Sequence, residues 1–225
     1  MAPYFAIQDG YAFYRGPLTD SAPHRHAAFQ VAIALRGEVA VVDESGARHS
    51  DVALIVPPMA WHRMLATESL LTFFVEPHCA FADRLRERCG DGVTVAAELR
   101  DLGEEHIRRT GAHPSDELDS RLLAAMSKLA DGDEPMPRLA AQVGLSPQRL
   151  RSLARHQLGM PLARWRIWLR LRRAAEALRE GQSPAGAAVT GGFADQAHFT
   201  RCMREMIGLT PSAVLPVLRS SPASG

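Results

Sequence analysis

The C-terminal part of the chain uses one device twice: a run of small residues, a glycine, an apolar residue and then an amphipathic helix. The first copy is LAAQVGLSPQRLRSLARHQLG (139–159) and the second is AGAAVTGGFADQAHFTRCMREMIG (185–208). In each, alanines let two helices cross closely and the glycine makes a tight turn. Leu145, Leu150 and Leu153 in one copy, and Phe193, Phe199 and Met203 in the other, can fill a shared core. Gln148 and Gln196 hold equivalent places, 48 residues apart. The intervening Arg-rich segment 161–181 predicts a helix of about 19 residues, roughly 28 Å long. Two recognition helices held near one DNA turn apart, about 34 Å, can read successive major grooves on one face.

Charge supports that reading. The formal net charge is only +1, but residues 135–225 carry thirteen Lys or Arg against four Asp or Glu. Residues 1–80 carry five against eight, and residues 81–134 eight against thirteen. A basic C-terminal block beside acidic neighbours is the electrostatic footprint expected for phosphate contact. No run of 18 apolar residues occurs, so no membrane partner is expected. The start, MAPYFAIQDG, lacks the pattern of a signal peptide. Cys79, Cys89 and Cys202 are odd in number and far apart, which predicts a reducing, cytoplasmic setting without disulfides.

FQVAIAL (29–35), EVAVVD (38–43), VALIVP (52–57) and LLTFFVE (70–76) read as strands divided by turn residues, so a small barrel is expected. Near residue 80 the period becomes helical, in CAFADRLRERC, VAAELRDLGEEHIRR and SDELDSRLLAAMSKLADG, with Ser115 as a helix start. DGDEPMP (131–137) is the clearest boundary. The fold class is thus α+β in three parts. Residues 1–80 form a β-barrel sensor, 81–134 a helical connector able to form a homodimer, and 135–215 an all-α domain with two helix-turn-helix units.

The C-terminal block resembles the DNA-binding domain of the AraC/XylS family of bacterial transcription regulators. The resemblance is carried by LAAQVGLSPQRLRSLARHQLGMP, by Trp165, Arg170, Leu171, Ala174, Ala177 and Leu178, and by GFADQAHFTRCMREMIGLTPS. It covers about residues 135–213 and implies transcriptional control through double-stranded promoter DNA, with RNA polymerase as a further partner. Carried onto this chain, it places Gln148, Arg151, Ser152 and Arg155 of the first reading helix at the DNA. On the second it places Gln196, Ala197, Thr200 and Arg201. Gln suits adenine edges, Arg suits guanine or phosphate, and Thr or Ala suits the thymine methyl. Ser152 departs from the Arg often found there, which weakens readout by the first helix. Arg204 fits a phosphate contact, and Arg170 a brace on the linker helix.

The segment from Gly16 through His24-x-His26-x3-Gln30 to Gly37, with Pro57-Pro58-x3-His62, resembles a degenerate cupin motif pair. Such a domain implies a small-molecule effector pocket, here of His24, His26, Gln30, Trp61 and His62. The same His24, His26 and His62, with Gln30, form a candidate divalent-metal set. Gln30 stands where a metal-binding cupin has Glu, and the second motif lacks its Gly. The leading expectation is a non-enzymatic regulator without a cofactor. The alternatives are a metal-dependent cupin enzyme and an effector-independent DNA-binding protein.

Overall fold

The computed structural model describes residues 3–90, 92–111 and 113–220. The described residues hold nine strands, eight of them before the first helix: β1 (Tyr4–Gln8), β2 (Tyr11–Leu18), β3 (Phe29–Ala34), β4 (Val39–Asp43), β5 (Arg48–Asp51), β6 (Ala53–Val56), β7 (His62–Met64), β8 (Thr67–Val75) and β9 (Thr94–Val95). They form a six-stranded sheet in the order β1-β2-β8-β3-β6-β9 and a three-stranded sheet β5-β4-β7, all pairs antiparallel. Alternation along β3 explains the layering. Val31 and Ile33 join a cluster on the outer face of the large sheet. Ala32 joins Leu54, Val56, Val39, Val41, Met64 and Leu70 between the two sheets.

Residues 81–134 do not behave as one connector. α1 (Ala80–Arg88) and α2 (Glu104–Gly111) lay Phe81, Leu85 and Ile107 on the outer face of the large sheet, beside Val31, Ile33, Ile55 and Phe73. VAAELRDLGEEHIRR, which reads as one helix, breaks into a short 3-10 turn at Ala97–Leu99 and then α2. α3 (Ser120–Asp131) instead buries Leu122, Ala125, Met126 and Leu129 among the C-terminal helices. Its apolar stripe is used inside the subunit. Large hydrophobics exposed among the described residues are Leu35, Val95 and Val189, none on α1–α3. α3 also starts at Asp119 rather than Ser115: the Asp119 carboxylate accepts from Arg121 N, while the Ser115 hydroxyl donates to Asp83 at 2.6 Å and accepts from Glu117 N and Leu118 N in the bend that precedes the helix.

The C-terminal helices are α4 (Met136–Gln142), α5 (Pro147–Leu158), α6 (Leu162–Arg179), α7 (Pro184–Thr190), α8 (Gln196–Ile207) and α9 (Pro211–Ser220). Side-chain caps open three of them. Ser146 accepts from Arg149 N, Ser183 from Gly186 N and Asp195 from His198 N. α5 and α8 both stop at a glycine in the left-handed region, Gly159 and Gly208. Trp165, Phe199, Leu139 and Met206 fill the centre of this domain. No described helix is long and apolar enough to cross a membrane.

Candidate DNA-reading faces and the cavity behind them

The two helix pairs, α4–α5 and α7–α8, flank α6, an 18-residue helix about 27 Å long. Their cores follow from the sequence pattern: Leu150, Leu153, Phe193 and Phe199 are buried. On α5, Gln148, Arg151, Ser152 and Arg155 are exposed. On α8, Gln196, Ala197 and Arg201 are exposed and Thr200 is half-buried. The Thr200 hydroxyl donates back to Gln196 O at 2.8 Å, which leaves its methyl group for an apolar contact. Arg204 is also exposed, whereas Arg170 pairs with Asp133 at 2.7 Å and ties α6 to the segment before α4.

The C-terminal end of α8 meets the β-domain. Ala22 N donates to Gly208 O at 3.3 Å and Arg25 N to Glu205 O at 3.2 Å. The fit is close: a Cβ on Gly208 would lie 2.6 Å from Nδ1 of His24 and 2.8 Å from Ala22 O. A second anchor joins α6 to the end of β8. The buried Glu76 carboxylate accepts from Trp168 Nε1 at 3.0 Å and from the Arg172 guanidinium, which also donates to Gln8 O.

Between the anchors lies a cavity of about 370 Å³. Phe5, Ile7, Leu70 and Phe74 wall it on the sheet side, and Phe199, Met203, Ile207 and Val214 on the helix side. His24, Gln30 and Thr72 supply polar groups. Of the five residues expected in an effector pocket, His24 and Gln30 line this cavity. His26 and His62 lie behind Gln30, and Trp61 lines a separate cleft with the Arg25 guanidinium 4.9 Å from its ring centroid. Sequence reasoning had no access to the other wall, because it is made by α6, α8 and α9, more than 90 residues beyond the sheet.

The histidines converge, though not from one strand. β3 begins only at Phe29, and His24 is held by a single antiparallel bridge to His62. Ligand-capable nitrogens of His24, His26 and His62 all lie within 4.8 Å of one another. Each ring has Nδ1 at a backbone carbonyl: Ala22 O at 2.9 Å, Ala28 O at 2.7 Å and Ala60 O at 3.0 Å. A neutral ring must therefore donate from Nδ1 and keep its lone pair on Nε2. Burial keeps the rings neutral, pushing His24 down to about 4 and lowering His26 and His62 as well. The Gln30 amide bridges His26 Nε2 and His62 Nε2, both at 3.0 Å, on one side and Thr72 Oγ1 at 3.1 Å on the other. With its carbonyl toward the rings, three acceptors would face one another. With its NH2 toward the rings, it donates to both and its carbonyl accepts from Thr72, so each of these atoms is paired.

Two helix-turn-helix units on one spacer helix, joined to a double β-sheet domain, define a double helix-turn-helix protein. Residues 139–215 match the helix-turn-helix domain family. The arabinose operon regulatory protein of Escherichia coli strain K12 is 36% identical over 177 residues, covering 69% of this chain and 60% of that protein. The bifunctional transcriptional activator/DNA repair enzyme Ada of the same strain is 28% identical over 141 residues, covering 61% and 40% respectively. These likenesses are to the AraC family of transcription regulators. It spans between about a third and three fifths of the length of the curated relatives it matches. ToxT of Vibrio cholerae shares the fold over nearly the whole chain. One structure of it superposes with a TM-score of 0.59 at 9% identity, covering 95% of this chain and 100% of that one. The unsaturated fatty acid-bound form gives 0.60 at 11%, covering 97% and 99%.

Proposed function

We propose that the protein is a sequence-specific DNA-binding regulator of transcription, controlled by a small molecule held between its β-domain and its second reading helix. One observation carries this reading: α8 exposes Ala197 and Arg201 on one side and lines the cavity with Phe199, Met203 and Ile207 on the other. A ligand there touches the back of the helix that reads DNA. It changes DNA affinity to the extent that it binds the DNA-competent arrangement differently from the other. The occupants are promoter DNA and an effector, and catalysis is no part of this reading. A homodimer of this chain has to use a face other than the stripe of α3, which is spent on the core.

Footprinting with purified protein at stated salt tests the DNA reading, the expected result being protection of two adjacent major grooves. Arg201→Ala should weaken binding to the selected site by about 1–3 kcal/mol, with relaxed preference at one base pair. An equal loss on every sequence would make Arg201 a phosphate contact instead.

The three-histidine cluster belongs to the same reading as a metal-free floor. Its donors, three imidazoles and an amide, lack the carboxylate of a metal-binding cupin, and the Gln30 amide can pair Nε2 of both His26 and His62. Gln30→Glu supplies the missing carboxylate, so that variant should take up stoichiometric zinc or nickel when elemental analysis finds little in the parent protein. A parent protein purified with one tightly held ion per chain would reverse the assignment.

A further inference from the structure

The polar groups around the cavity are, with one exception, already committed within the protein. Tyr14 OH donates to Pro17 O, and Ser21 Oγ accepts from Met64 N at 3.0 Å and lies 3.5 Å from Nδ1 of His24. Gln30 and Thr72 bond to each other. The Arg172 guanidinium is neutralised by the Glu76 carboxylate and further tied to Gln8 O. Thr19 sits at the exposed rim. The exception is His24, only 3% exposed overall. Its Nδ1 donates to Ala22 O, and its Nε2 has no hydrogen-bond partner among the described residues. The remaining walls are apolar.

Resting on the reading of this cavity as the effector site, we infer that its ligand is an uncharged, mainly apolar molecule whose single hydroxyl or N–H donates to Nε2 of His24. An anion finds no free cation here, since Arg172 is paired, and a carboxylate facing the Nε2 lone pair meets acceptor against acceptor. A purely apolar molecule fills the volume but leaves a buried acceptor unmet. A donor group satisfies it.

Three probes with one apolar body separate these cases: 4-heptylphenol, 4-heptylbenzoate and heptylbenzene, titrated calorimetrically into the full-length protein at neutral pH. The phenol should bind about tenfold more tightly than either of the others. His24→Leu should erase that preference while keeping the apolar contribution. The ranking in the parent protein needs no variant and stands even if His24→Leu folds poorly. Benzoate as the tightest probe, or equal binding of all three, overturns the inference. DNA affinity measured with each probe present tells the two levels apart. A bound benzoate that alters DNA affinity leaves the effector cavity standing and removes only the ligand class. Binding by none of the probes removes the ligand class. Probes that bind without changing DNA affinity count against the effector reading itself.

Discussion

Glu76→Ala should cost about 3–5 kcal/mol of stability, a magnitude typical of breaking a buried ion pair from one side. Glu76 is 2% exposed and lies in the turn after β8, where its N–H donates to Gly10 O at 2.8 Å. Trp168 and Arg172 of α6, one helical turn apart, both donate to its carboxylate. Alanine would leave an indole N–H unmet and a guanidinium with Gln8 O as its one remaining partner in this trio. Urea unfolding measures the loss. A second variant checks the cause: Glu76→Met combined with Arg172→Met removes both charges and should recover a large part of it, because unpaired charge rather than lost volume sets the cost. A loss below about 1 kcal/mol for Glu76→Ala would mean that the anchor contributes little to holding α6 on the β-domain.

Phe199→Ala should be comparably severe, about 3–5 kcal/mol, because it removes a large buried aromatic that packs the α7–α8 turn and walls the cavity. Phe199 is 1% exposed and its ring centroid lies 5.2 Å from that of Phe193, the apolar residue of the α7–α8 turn. The contrast with Arg201→Ala is informative. Arg201 is exposed, so its removal should spare stability and affect DNA alone. Phe199→Ala should destabilise the fold and also shrink the footprint to the half read by α5, since α8 loses the packing that orients it. A variant that loses the stability but keeps the full footprint would show that α8 is not the second reader.

The two helix-turn-helix units were largely legible from sequence, for a physical reason. Gly144, Gly159 and Gly208 adopt the left-handed conformation that ends or turns a helix. Ser146, Ser183 and Asp195 cap the helices that follow them. Those signals are local, so periodicity and punctuation located them to within a residue or two. The β1–β2 hairpin was missed although its signal was present: Asp9-Gly10 joins Gln8 to Tyr11 as a two-residue loop, with Gly10 at φ +78°. α9 carries Pro216 in its interior and offered little helical signal.

The cavity was the least legible feature. His24 and Gln30 stand out by type, but their being joined by Phe199, Met203 and Val214 depends on how α8 and α9 dock, which no local spacing encodes. Periodicity also marked α1, α2 and α3 as amphipathic without saying which core each would face. Glu76 carried a faint hint, a single acid closing the apolar run LLTFFVE. Its partners lie 92 and 96 residues further on.

The contact at Gly208 bears on how freely such a protein can acquire new habits. Here a backbone position without room for one more carbon joins the segment carrying His24 to the end of the helix carrying Arg201. Reshaping the cavity from its helical wall, at Met203 or Ile207, therefore disturbs the footing of Gln196 and Arg201 on the same helix. Changes on the sheet wall, at Phe5, Ile7 or Leu70, leave that footing in place. A descendant, or a designer, seeking a new inducer without a new operator has one wall on which to work.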